Sequence, residues 1–177
     1  MASFTDRMIR AAKLDVSLYE EVEADKSAMA QATAVVVLSS VAAGVGTIAR
    51  GGVGGIVLGT IAALIGWYLW AFVTYLIGTK LLPEPQTRAD MGEMLRTIGF
   101  STSPGLIRVL GIISPLAGIV FAVAAIWMLV AMVIAVRQAL DYSGTWRAVG
   151  VCVIGWIIYV LVVGLLISML GGGAPPA

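Results

Sequence analysis

The sequence predicts an all-α integral membrane protein of about five transmembrane helices. Three observations predict it. Apolar residues make up 60% of the 177-residue chain and charged ones only 12%, where soluble domains carry about 25% charge. Mean hydropathy is +1.00. Uncharged apolar stretches recur at the length of roughly 20 residues that a helix needs to cross hydrocarbon. The same composition excludes several function classes. The chain has no histidine, and Cys152 is its only cysteine. The usual metal and haem ligand, the commonest general base and any internal disulfide are therefore missing. A net charge of +1 leaves no footprint for nucleic acid. The expectation is a protein that is not an enzyme and holds neither metal nor cofactor.

Residues 1–27 form a soluble segment in which bases come first and acids last. Phe4, Met8, Ala11 and Ala12 recur at helical spacing beside Arg7, Arg10 and Lys13. Such a helix either lies on an anionic membrane surface or leads into the first span as a solvated helix. The acidic stretch around Tyr19, Glu20 and Glu21 is expected to meet a partner rather than lipid. The first span covers about 28–49, between Lys26 and Arg50, and acts as its own uncleaved insertion signal. A second covers about 54–78, its Gly51–Gly55 opening read as a turn, and ends at Lys80. Leu82-Pro83-Glu84-Pro85 then breaks the chain. Met91, Met94, Leu95 and Ile98 make an apolar stripe beyond it, expected as an interfacial helix feeding the third span.

The third span, about 97–113, is short and interrupted by Ser103-Pro104 and Gly105. Ser114-Pro115 is a helix start signal, with Ser as cap and Pro at the first position. It opens a fourth span over about 115–140. The fifth runs over about 148–170, and residues 171–177 form a flexible tail. Basic residues orient these spans. With the N-terminus in the cytoplasm, Arg7, Arg10, Lys13, Lys26, Lys80, Arg88, Arg96, Arg108, Arg137 and Arg147 all fall inside, and Arg50 alone falls outside. Merging the third and fourth spans moves Arg137 and Arg147 outside and weakens that bias. The C-terminus is thereby placed outside.

Gly51, Gly55 and Gly59 lie on one helix face, with Ser39, Ala43 and Gly46 as a companion surface on the first span. Small residues at this spacing let helices approach closely in lipid. Packing within the chain is the favoured use, and a homodimer face the other. Arg108 is the one base that could lie inside the bilayer, roughly 16 Å deep if the span begins at Thr97. Water, Asp90 or Glu93 would then have to reach it; the alternative is a later start with Arg108 snorkelling to inner headgroups. Trp67, Tyr68, Trp70 and Tyr75 gather in the second span, as core or lipid contacts in preference to a ring platform for a quinone or pigment tail. Cys152 is expected to be buried and inert.

Gly99-Phe100-Ser101-Thr102-Ser103-Pro104, followed by Leu106, resembles the Gly-Tyr-Ser-x-x-Pro-Leu signature that opens the third span of Yip-domain membrane proteins. Leu18-Tyr19 stands where that family carries Asp-Leu-Tyr-Gly-Pro. Phe100 replaces the Tyr, Gly105 intervenes before Leu106, and Glu20-Glu21 replaces Gly-Pro. The family is named for interaction with Ypt/Rab GTPases in eukaryotes and has bacterial and archaeal relatives. The short soluble regions resemble the prokaryotic members, so the resemblance implies no GTPase partner here. It implies a five-span, multi-pass protein of a bacterial cytoplasmic (inner) membrane. Such a protein is non-enzymatic and works by associating with lipids, with other membrane proteins or with itself. The interaction candidates are Leu18, Tyr19, Gly51, Gly55, Gly59, Gly99, Phe100, Ser101, Pro104 and Arg108. The competing functions are a small oligomeric transporter or channel using the Ser103-Pro104 break and Arg108, and a cofactor-associated subunit of an electron-transfer or light-harvesting complex.

Overall fold

The computed structural model describes residues 3–171 and is helical, with no strand among them. Helix α1 (Phe4–Ala12) starts where the Ser3 hydroxyl accepts the Asp6 amide, and α2 (Val16–Ala24) where Asp15 accepts that of Ser17. Both are side-chain caps for amides that have no partner within the helix. Leu14, at φ 63°, folds the two into a hairpin. A short 3-10 turn leads into α3 (Met29–Gly46). Helix α4 (Ile48–Leu76) is broken near its start by Gly52 at φ 59° and ψ −168°. A residue without Cβ takes that conformation at little cost. The turn expected over Gly51–Gly55 thus contracts to one residue, and helix resumes directly after it.

A π turn (Ile77–Leu81) ends α4 before the Pro83 break. Helix α5 (Met91–Phe100) opens on a capping box between Asp90 and Glu93, which satisfies both free amides reciprocally. A 3-10 segment, Ser103–Ile112, follows. Pro104, Gly105 and Gly111 all disfavour continuous α-helix. Ser114-Pro115 then starts a short 3-10 turn into α6 (Ala117–Ala139), with Pro115 in the first turn as the start signal predicts, but the Ser114 side chain forms no cap. Helix α7 (Thr145–Gly171) ends the described chain. The expected tail beyond Gly171 lies outside the described residues.

Among the described residues, four segments are long and apolar enough to cross a membrane: Lys26–Gly46, Gly51–Leu81, Ser114–Ala139 and Thr145–Val162. The α5–3-10 stretch is not one of these, yet it runs beside α3 in the same direction. Gly99 touches Ala32, the Thr102 carbonyl accepts the Ser39 hydroxyl at 2.9 Å, and Gly111 reaches Gly46. Helix α4 runs the opposite way along α3, with Gly44 against Ile56 and the Ser40 and Thr60 hydroxyls 3.2 Å apart. Helix α6 also opposes α3, since Phe121 meets Gly46 and Gly111 while Met128 meets Gly105. Trp70 on α4 and Tyr159 on α7 close the bundle edge to face, ring centres 6.1 Å apart.

Two expectations for the soluble segments are corrected. The apolar face of α1 (Phe4, Met8 and Ala11) packs into the bundle beside Ala32, Phe100 and Ala135, so it is covered by protein and not by a lipid surface. Helix α5 is not interfacial: every residue from Met94 to Phe100 is buried. In both cases burial against neighbouring helices removes more apolar area than one-sided contact with a membrane.

Candidate functional site

The structure brings the two motif segments together. Leu18, Tyr19, Val22, Ala32, Val35, Phe100 and Ala135 form one fully buried cluster between the hairpin and the bundle. Leu18 and Tyr19 are therefore not a surface offered to a partner; they are the pins that seat α2. The Tyr19 hydroxyl is buried without a hydrogen bond among the described residues. Gly99 allows contact with the Ala32 Cβ and carbonyl. Ser101 and Ser103 return their hydroxyls to the carbonyls of Ile98 and Phe100. That leaves the break polar in composition and internally satisfied, with Pro104 buried behind it.

Ion pairs lock the hairpin from outside. Arg7 is 4% exposed; it donates to Glu21 at 2.9 Å, Asp25 at 2.8 Å and the Gln31 side chain at 2.9 Å. Arg10 reaches Asp15 at 2.8 Å and Glu21 at 2.6 Å. These guanidiniums hold the Asp15 and Glu21 carboxyls below their usual range. Asp25 is lowered to about 2, by Ser27 and then by Arg7. Arg96, buried on α5, donates to the carbonyls of Val22 at 2.8 Å and of Glu23. It thereby caps the last turn of α2 with a cation where the helix dipole is negative. The α4–α5 and α6–α7 loops are tied as well. The Glu84 carboxylate meets Arg147 at 3.0 Å and the Ser143 amide at 3.1 Å.

Beside this lies a cleft of about 850 Å³ lined by Glu20, Glu23, Glu93, Arg137 and Asp141. Burial, then Asp141 and Glu93, raise the Glu23 carboxyl to about 7, against the opposing pull of Arg96. The sign follows from linkage: a carboxyl whose folded value exceeds its unfolded one stabilises the fold when protonated and loses that contribution as pH rises. Hairpin docking is thus expected to weaken from pH 5 to 8 through Glu23. It also weakens below about pH 4, where Asp15, Glu21 and Asp25 lose their charges. Hydrogen exchange over residues 16–24 checks this. Glu23→Gln should flatten the alkaline limb, and an unchanged limb would refute the assignment.

Arg108 is placed differently from the inner-headgroup expectation. Its carbonyl lies at Gly46, the far end of α3, and its guanidinium folds back along the bundle. Nε donates to the Gly105 carbonyl at 3.0 Å, and Nη2 to the Ser39 carbonyl at 2.9 Å and hydroxyl at 2.7 Å. Asp90 and Glu93 cap α5 and do not reach it. Ser39 lies about 15 Å along α3 from its start. Ser39 and Gly46 serve Arg108 and the 3-10 segment, so the expected companion surface for the α4 glycines is not formed. Among the described residues, a Cβ on Gly51, Gly54, Gly55 or Gly59 would meet nothing within 4 Å, so their face is open there.

Sequence reasoning missed Arg7 and Arg96 as buried anchors, and it missed Met128 and Met132 beside Arg108. Only the excess of acids late in the hairpin hinted at partners for the early bases. Cys152 is buried, as expected. Tyr68 and Trp156 face outward, whereas Trp67 and Trp70 turn inward and donate to the Leu95 carbonyl and the Met132 sulfur.

No curated protein matches the chain, and no solved structure does either. The Yip1 domain family model matches residues 18–169. That span takes in Leu18-Tyr19, the Gly99–Pro104 break and all four long apolar helices, the parts that the packing above joins into one body. The chain belongs to the Yip1 domain family of multi-pass membrane proteins.

Proposed function

We propose that the protein is a non-enzymatic interaction component of a bacterial cytoplasmic membrane, an accessory, assembly or membrane-organising subunit. It crosses five times with its N-terminus inside. Members of its family are membrane proteins that meet lipids and other proteins, which supports the coarse reading. The parallel course of α3 and α5–3-10 supports the five-span one. Ten residues of 3-10 helix advance about 20 Å and ten of α-helix about 15 Å, together enough for a hydrocarbon core of about 30 Å.

One observation carries the interaction role. Gly44, Gly46, Gly99, Gly105 and Gly111 all stand at close helix contacts, while the Gly51–Gly59 face of α4 touches nothing among the described residues. A chain that uses glycine for close approach elsewhere, and leaves one such face bare, has that face available for another membrane helix. Gly55→Leu is expected to leave the monomer folded and to abolish most co-purification of partner or second copy in mild detergent. A wild-type protein recovered as a lone monomer, or a Gly55→Leu protein that keeps its partner, would sink the proposal.

A further inference from the structure

The chain has placed a cation in its apolar layer and supplied no anion to meet it. All its acids fall at positions 6–25, 84–93 and 141, in the hairpin and the inner loops. Arg108 is nevertheless held in a defined pose by three oxygens that carry no formal charge: the Gly105 carbonyl and the carbonyl and hydroxyl of Ser39. Gly105 makes room for this pose, since a Cβ there would collide with the Ser39 hydroxyl and crowd Nη2 and the Met128 sulfur. Nε and Nη2 are used up. Nη1 has no hydrogen-bond partner among the described residues.

Arg108 lines a cavity of about 300 Å³ between α3, α4, α5, α6 and α7. The other walls include Trp67, Trp70, Met128, Met132 and Tyr159. Both indole N–H groups are already committed to Leu95 and Met132, so the rings present apolar surface to the cavity. The result is one fixed cationic donor at the end of an aromatic and thioether wall. An isolated charge in this layer is costly unless it is paired. A pocket of this polarity suits a ligand with one anionic group and an apolar body.

We propose that this cavity binds an anionic amphiphile, with its oxyanion on Nη1 of Arg108 and its alkyl chain along Trp67, Trp70 and Met132. The oxyanion is the shared chemistry of a fatty-acid carboxylate and a phospholipid phosphate, and the two sources are separated by experiment. Gly51, Gly55 and Gly59 are not among the residues that line it.

The test uses the full chain in alkyl maltoside micelles and reads tryptophan fluorescence. The probes are dibromostearate, a dibrominated phosphatidylglycerol and, as a probe without an oxyanion, a dibrominated diacylglycerol. Saturable quenching at low mole fraction is expected from one or both anionic probes, and which of them quenches identifies the source. Diacylglycerol should quench only weakly and without saturation. Arg108→Gln is expected to raise the half-quenching mole fraction about tenfold, the order of one charge-assisted contact. Met128→Phe keeps the guanidinium and narrows the cavity, and it should weaken the anionic probes too. Equal quenching by diacylglycerol, or no saturable quenching by either anion, would overturn the proposal with the wild-type protein alone. Unchanged quenching in a folded Arg108→Gln protein would overturn it as well.

Discussion

Gly46→Ala is expected to be the most disruptive single-methyl change in the bundle. The added Cβ would overlap the Arg108 carbonyl and press on the Phe121 ring. The first of these is backbone, so no rotamer change relieves it. Either the 3-10 segment lifts off α3 or the Ser39–Arg108 bonds stretch. Overpacking of this kind costs about 3 kcal/mol at its upper end, and the loss of buried hydrogen bonds adds to it. Thermal unfolding in detergent should show a large fall for Gly46→Ala. Gly55→Ala is the matched control. Its Cβ meets nothing within 4 Å among the described residues, and it should be neutral or slightly stabilising through helix propensity. Equal behaviour of the two variants would contradict the packing described.

The second large effect is expected at Arg7. Its guanidinium joins α1 to Glu21 and Asp25 around α2 and to Gln31 at the start of α3. The Arg7 side chain is 5% exposed, while Glu21 and Asp25 are 31% and 28% exposed. Removing one partner of a buried ion pair costs about 3–5 kcal/mol. Because the acids keep some contact with water, the lower end of that range applies. Arg7→Ala should release the hairpin first, since Arg10 alone then ties α1 to the acids of α2. Limited proteolysis should cut within residues 4–24 of the variant under conditions that spare the wild type. A hairpin equally protected in both would show that the apolar pins at Leu18 and Tyr19 suffice without the ion network.

Much of the membrane architecture was legible because lipid imposes simple rules. Length and apolarity located the four helices that are long and apolar enough to cross among the described residues, and Ser114-Pro115 marked the start of α6 within a residue or two. The break at Ser103-Pro104 was visible as well. Its 3-10 form was not: Gly105 and Gly111 could equally have ended a helix, and only contact with α3 decides the geometry. The hairpin was misjudged for a different reason. Arg7 and Arg10 have the pattern of a membrane-surface helix, and what overrides it is pairing with acids from other turns. Such pairing follows from tertiary placement and leaves no periodicity to read. Burial of Arg96 was hidden likewise, because its partners are backbone carbonyls of α2 that carry no sequence signature. Arg108 stood out as a charge in an apolar layer, but its uncharged cradle at Ser39 and Gly105 did not.

The seating of the hairpin also has a consequence in time. The indole of Trp127 donates to the Ala12 carbonyl at 2.7 Å, and Gln138 to the Glu20 carboxylate at 2.9 Å. Residues 4–24 leave the ribosome long before the helix that carries Trp127 and Gln138 is made. Until then the hairpin has no slot to occupy, and Leu18 and Tyr19 have nothing to pack against. Contacts so distant along the chain form late. A segment synthesised before those helices is therefore among the last to settle, and its arrival records that the helices behind it are already in place.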